Sequence, residues 1–245
     1  MGSPYPPITV RRARGERAFL DFEPSWRILF EASPSATPFQ SFEWLSAWRR
    51  CGEGEPVLLA ACVGETPIAA MALMKTRHRG SPLQCLKWMG APESDYQDFV
   101  GGMRREECAA AFVEDLLLSR DWHFCELGAL RPDLTALLST ALGGPQIHLD
   151  QCMALPLPAD RETFERDLGR RRRKAFRQHM KALETDQGPC VFSTIDAPDA
   201  LPAAMADLFR LHGERRGMIG DGGAFVKESV RAFHREVAAA FLGRG

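Results

Sequence analysis

Lysine is scarce in this 245-residue chain: of 31 basic residues only five are Lys, at positions 75, 87, 174, 181 and 227. Acidic residues number 32, which leaves a net charge of −1. That balance excludes a molecule-wide electrostatic glove for nucleic acid or membrane, and only a local patch can serve such an end. No CxxC or Cys/His ligand spacing occurs among the seven scattered cysteines, so neither a zinc site nor a disulfide framework is indicated. Unpaired thiols flanked by apolar residues suit a reducing compartment. Long apolar runs are also missing. The longest, Val57 to Val63, is far too short to cross a bilayer. The stretch before Arg11 and Arg12 has no apolar core of the kind a signal peptide needs. No GxSxG nucleophile elbow and no GxGxxG dinucleotide fingerprint is present. These absences point to a cytoplasmic protein with no membrane span.

What is there is an ordinary folded composition, 45% hydrophobic and 26% charged, long enough for one large domain or two small ones. Ser25 precedes a short helical stripe of Trp26, Leu29 and Phe30. Thr37-Pro38-Phe39-Gln40 has capping-box form, and Ser41 is an equal candidate cap for a helix carrying Trp44, Leu45 and Trp48. The runs 57–63 and 67–74, joined by Gly64-Glu65-Thr66, predict a β-hairpin buried on both faces. Further strands are predicted over 83–89, 98–101, 122–127 and 146–155. Helical spacing marks 105–119 and 132–141. Together they predict an α/β fold with a mixed sheet. Pro156-Leu157-Pro158 marks a boundary between residues 1–157 and 158–245. Beyond it come a helix weakened at Gly169 and continued over 170–183, a strand at 190–195, and helices ending near Gly217 and Phe241. This second half has helices but only one strand to bury them against. The stripe of Phe225, Val226, Val230, Phe233, Val237 and Phe241 is therefore expected to stay exposed and to promote self-association.

Several residues are candidates for chemistry. Asp95, Tyr96 and Asp98 form the most polar cluster near a strand end. Two carboxylates three apart can converge on an amine, with Tyr96 as acid or donor, or Asp95 simply caps a turn. Trp44, Trp48 and Trp88 either line an acceptor groove or fill the core. His212 lies on an apolar helix face, where a satisfied interior histidine is the simpler assignment. The cysteines at 62, 85 and 125 sit in apolar runs as small hydrophobes. The sharpest charge feature is the run from Arg170 to Lys181. At helical spacing Arg170, Arg173, Lys174 and Arg177 share a face that either meets phosphates or is merely solvated.

The order of Thr37-Pro-Phe-Gln-Ser-Phe-Glu-Trp-Leu-Ser-Ala-Trp48, the hairpin, Ser94-Asp-Tyr-Gln-Asp98, and Leu208-Phe-Arg-Leu-His212 with Arg216-Gly217 resembles the CelD/BcsL-type acyltransferases. Those belong to the GNAT superfamily and are related to the FemAB peptidyltransferases. The resemblance implies two GNAT-like lobes, the second of them incomplete here. It also implies an acyl-CoA co-substrate such as acetyl-CoA, no metal, and a small-molecule or saccharide acceptor, by direct attack without a covalent enzyme intermediate. Asp95, Tyr96 and Asp98 would then be catalytic, with Trp44, Trp88, Arg170, Arg173, Lys174, Arg177 and His212 binding substrate. The superfamily's pyrophosphate loop, Gln/Arg-x-x-Gly-x-Gly/Ala, has its nearest match at Arg216–Gly222 with one residue too many, so weak acetyl-CoA binding is expected. Two alternatives stand beside this: FemAB-like aminoacyl transfer from tRNA, and a non-catalytic remnant that holds a phosphate-rich partner.

Overall fold

The computed structural model describes residues 5–78, 80–119, 121–142, 146–148, 155–218, 220 and 223–244. In chain order the strands are β1 (Ile8–Arg14), β2 (Glu55–Val63), β3 (Thr66–Arg77), β4 (Gln84–Trp88) and β5 (Phe124–Glu126). The helices are α1 (Gly15–Asp21), α2 (Glu23–Glu31), α3 (Phe42–Cys51), α4 (Arg105–Leu118), α5 (Pro132–Leu142), α6 (Arg161–Asp167), α7 (Gly169–Gln187), α8 (Leu201–Gly217) and α9 (Glu228–Leu242). Residues 1–147 and 197–245 make one compact unit, and 148–196 a second.

The hairpin is the centre of the first unit. β2 and β3 pair antiparallel from Glu55↔Lys75 to Val63↔Thr66, turning at Gly64 with φ +59°. That dihedral is open to glycine at little cost. The sheet order is β1-β2-β3-β4-β5, antiparallel except for the parallel pair β4–β5. Both faces are covered, which is why the hairpin reads as a continuous apolar run. On one face Val57, Leu59, Met71, Leu73, Leu86 and Trp88 pack against Phe112, Val113 and Leu116 of α4 and Leu134 and Leu138 of α5. On the other, Leu58, Ala70, Ala72 and Met74 pack against Phe19, Trp26, Leu29, Trp44, Leu45 and Phe233.

The hairpin, the helix over 105–119 on its face and the cap at Ser41 agree with the sequence. Ser41 Oγ accepts the Trp44 N–H at 3.3 Å, and Thr37 with Gln40 forms the capping box of a short 3-10 turn at Pro38–Gln40. Helix α2 starts two residues before Ser25, with Pro24 in its first turn, so Ser25 lies inside the helix and does not cap it. The stretch 98–101 contributes one antiparallel bridge, Val100 to Ala70, in place of a strand. Gly101 beside it has φ +112°, and a Cβ there would overlap the backbone at Ile68 and Ala69. Of the strand expected over 146–155, residues 149–154 lie outside the described residues, and 146–148 are irregular.

Two expectations for the C-terminal half are overturned. Residues 190–195 form no strand, with Val191 and Phe192 each 87% exposed. A strand needs a partner for its N–H and C=O groups, and the described elements of residues 148–196 are helices. The stripe of α9, in turn, is not left open. Val230, Phe233 and Val237 are buried, and Phe233 meets Trp44 and Trp48 edge-on at centroid distances of 4.8 and 5.4 Å. Arg50 pairs with Glu236 at 2.5 Å and Arg244 with Glu43 at 3.0 Å along the rim of the α3–α9 contact. The apolar surface that covers α9 comes from α3, far back in the sequence. The premise for self-association through this stripe therefore falls away.

Strand β1 ends the sheet with an Arg-rich sequence, a common guard against edge-to-edge pairing. Its Arg12 binds Asp115 of α4 at 2.6 Å, and Arg14 binds Asp121 at 2.8 Å, with Lys75 at 3.7 Å from the same carboxylate. Burial works to raise the pKa of Asp121, but Arg14 and Arg12 outweigh it and hold the group below its ordinary value. A depressed carboxylate adds stability above its unfolded pKa, near 3.9, and loses it as pH falls through the lower folded value. Asp121→Asn is thus expected to cost about 1–2 kcal/mol at pH 7. The deficit should begin to shrink below about pH 4, as followed by urea unfolding at pH 7 and pH 3. A pH-independent difference would contradict the ionic assignment.

Candidate functional site

The loop after β4 is anchored from both sides. Trp44 Nε1 donates to Ser94 Oγ at 2.8 Å, and Ser94 Oγ donates to Gly90 O at 3.0 Å. Gln40 Nε2 donates to Tyr96 O at 3.0 Å, and the Gln97 N–H to Ala129 O at 2.9 Å. Between these ties Asp95 and Tyr96 are exposed, and Tyr96 takes a left-handed φ of +51°. Such a conformation is uncommon for a non-glycine residue and holds only where surroundings enforce it.

Asp98 does not share that exposure. Its side chain is 1% exposed, accepting from Ser35 Oγ at 2.8 Å, Arg105 Nη2 at 2.9 Å and the Phe99 N–H at 2.8 Å. Arg105 lies over the Phe99 ring at 4.4 Å. Asp98 is thus an internal anchor between the loop and α4, and Asp95 is the open carboxylate of the two. Trp44 and Trp88 are 7% and 2% exposed and lie on opposite faces of the sheet, so they do not line one groove. Burial pushes Cys125 up to about 12 and Cys108 up to about 11, and raises Cys85 as well, which disfavours the nucleophilic thiolate at these three positions.

His212 of α8 is half-buried against Phe225, with ring centroids 4.8 Å apart, and its Nδ1 is buried without a hydrogen-bond partner. Phe225 belongs to a 3-10 turn at Ala224–Val226 and meets a second imidazole, His234 of α9, at 5.0 Å. His234 Nε2 is 3.9 Å from Glu93 Oε2, on the anchored loop. Burial lowers the His234 pKa and raises that of Glu93, the latter drawn back in part by Lys227. Neither Glu93 nor His234 stood out in the sequence, because they are far apart in the chain and neither sits in a motif. The available signal was weak: a titratable residue beside Phe233 on an apolar stripe.

Within residues 148–196, Arg170, Lys174, Arg177, Gln178 and Lys181 line a shallow groove of about 350 Å³ along α7. Arg173 stands apart from that stripe, donating to Glu165 O at 2.9 Å and Arg166 O at 3.4 Å, where it closes the end of α6. Lys181 takes its place, at the i+4 position from Arg177. Among the described residues none of Arg170, Lys174, Arg177 and Lys181 has a carboxylate partner, so their charge is open to an anion. The stretch 216–222 joins α8 to the Ala224–Val226 turn, with 219, 221 and 222 outside the described residues.

Among the described residues no three His, Cys, Asp or Glu side chains gather to hold a metal ion, and no helix is long and apolar enough to cross a membrane. No curated protein and no solved structure matches the chain. A family model does: residues 170–245, from α7 through α9, match the acetyltransferase (GNAT) domain. The five-stranded mixed sheet lies outside the matched segment, in residues 8–126.

Proposed function

We propose that the chain is an N-acyltransferase that moves an acyl group from acyl-CoA to an amine. The acceptor we infer is an amino sugar or an envelope or exopolysaccharide precursor, as the likeness to CelD/BcsL-type enzymes implies. The observation that carries the reading is the match of residues 170–245 to a GNAT acetyltransferase domain. In the reaction the ammonium form of the acceptor first loses a proton. Its nitrogen then attacks the thioester carbonyl, the C–S bond breaks, and the second proton goes to the leaving thiolate. On this reading residues 158–245 belong to the second lobe, of which α9 packs on α3 and the sheet, and α8 on α9.

The open cations Arg170, Lys174, Arg177 and Lys181 suit the donor's phosphates. From Arg170 to Lys181 they span twelve residues of helix, eleven steps of about 1.5 Å or about 16 Å in all. Asp95 and Tyr96 are candidates for binding the acceptor, on a loop held by a rigid scaffold, and Asp98 supports that loop from within. The same stripe favours a second reading, aminoacyl transfer from tRNA, since nucleic-acid affinity follows unpaired basic charge.

Calorimetry with acetyl-CoA separates these. We expect binding weaker than micromolar in the parent chain. A further loss of about tenfold, or about 1.4 kcal/mol, is expected in the triple variant Arg170→Gln, Lys174→Gln, Arg177→Gln. Equal binding by parent and variant would remove α7 from the donor site. Retention on tRNA at moderate salt, without affinity for acetyl-CoA, would favour the second reading.

A further inference from the structure

We propose that Glu93 and His234 form a site for a primary ammonium group, the carboxylate holding the cation and His234 Nε2 receiving its proton. The proposal rests on the acyl-transfer reading for its place in catalysis, but the binding site stands on its own geometry. The two facing atoms are 3.9 Å apart, too far for a hydrogen bond to each other. One nitrogen can therefore sit about 2.8–3.0 Å from both and donate to each. Among the described residues neither side chain makes any other hydrogen bond, so both are available. The Glu93 and His234 side chains are 20% and 26% exposed, enough to be reached yet mostly withdrawn from water.

The walls are aromatic. Phe225 and Phe233 each meet the His234 ring at 5.0 Å, and Trp44 lies at 6.5 Å. Such a surround favours neutral imidazole, the form able to accept a proton, and strengthens the attraction of a carboxylate for a cation. Both partners are held in place. Trp44 fixes the loop through Ser94, as described above, and Arg231 Nε donates to Phe225 O at 2.6 Å, holding the aromatic turn against α9.

Other charges do not fill the site. Lys227, at the start of α9, draws on Glu93 through space only. Arg235 pairs with Glu228 at 2.7 Å, and Arg231 and Arg235 both lie over Phe209. His212 of α8 packs on Phe225, as His234 does, and Arg216 of α8 lies near Gly223. Asp95 is exposed further along the loop. His212 and His234 belong to the segment matched by the acetyltransferase domain, whereas Glu93 comes from the loop after β4, so the pair joins that segment to the sheet.

Proton accounting is simple: the N–H bond of the ammonium breaks, its electron pair stays on nitrogen, and the proton passes to His234 Nε2. The imidazolium then returns it to solvent.

The test is NMR of the His234 ring signal in the full chain, titrated with D-glucosamine and with n-butylammonium. N-acetyl-D-glucosamine, which lacks the ammonium, is the control. A saturable shift with either amine and none with the control is expected. In Glu93→Gln, an isosteric change, affinity should weaken at least tenfold while circular dichroism stays unchanged. In an acyl-transfer assay, His234→Asn should lower kcat/KM by about 10²–10³ and remove the acidic limb of its pH profile. No shift with either amine, or the same shift in Glu93→Gln, overturns the ammonium site. Full kcat/KM and an unchanged pH profile in His234→Asn overturn its proton-accepting role. Amine binding without any acyl transfer would refute the acyltransferase reading and leave the ammonium site standing.

Discussion

Replacing Phe233 by Ala is expected to lower the unfolding free energy by about 3–5 kcal/mol, the usual cost of removing a fully buried aromatic ring. For a unit of this size that corresponds to a fall in Tm of roughly 6–20 °C. The ring is 0% exposed and sits edge-on to both Trp44 and Trp48, where the quadrupoles of the three rings are favourably arranged. Its loss opens a cavity between α3 and α9 that neighbouring side chains fill only in part. Leu211→Ala on α8, where the side chain is 54% exposed, is the matching control and should stay within about 0.5 kcal/mol of the parent. Thermal unfolding followed by tryptophan fluorescence reads both. Equal Tm values for the two variants would mean that α9 is not seated on α3. Deleting 198–245 should for the same reason harm solubility, because it bares Trp44 and Trp48.

Asp98→Asn is expected to cost about 3 kcal/mol, because it leaves the Arg105 guanidinium beside the core without its counter-ion. The carboxylate accepts three separate donors, from Ser35, Phe99 and Arg105, and the amide cannot satisfy them all. Arg105 is 19% exposed, and its Nη1 already lacks a partner, so it has little means of compensating. Asp95→Asn, on the exposed part of the same loop, should leave stability unchanged. Urea unfolding of the two variants side by side distinguishes an anchor from an open side chain. A parent-like midpoint for Asp98→Asn, with lost activity, would return Asp98 to a catalytic role.

The first half of the fold was legible where local signals and burial agree. The hairpin announced itself by two apolar runs around Gly64, and α3 by a cap, a Pro in the preceding turn and a Trp stripe. Strand β1 gave no such signal. Its sequence, Ile-Thr-Val-Arg-Arg-Ala-Arg, breaks the apolar alternation of Ile8 and Val10 at Arg12, a charge that only the fold shows to be mostly buried against Asp115. The destination of α9 was hidden for another reason. Its amphipathic pattern gave a correct helix and buried face, but a pattern names no partner, and the partner is roughly two hundred residues away. Residues 190–195 had strand composition without a neighbouring strand, and composition lost.

The candidate site divides along the same line. Spacing placed Asp95 and Asp98 in one cluster, yet only the fold reveals that one carboxylate is open and the other consumed by Arg105. Helical periodicity located the basic stripe of α7 but misassigned one member. Arg173 turns back to the carbonyls that end α6, because Gly169, with φ +71°, bends the chain between the two helices. Glu93 and His234 meet through tertiary packing alone, with no sequence pattern to connect them.

Acyl transfer itself is tested most directly by incubating the purified chain with acetyl-CoA and D-glucosamine, measuring free CoA thiol and acetylated amine together. The two are expected to appear in equal amounts, both requiring the amine, with N-acetyl-D-glucosamine supporting neither. Thiol release that ignores the amine, or no transfer to any primary amine by a chain whose helices are intact, would contradict it.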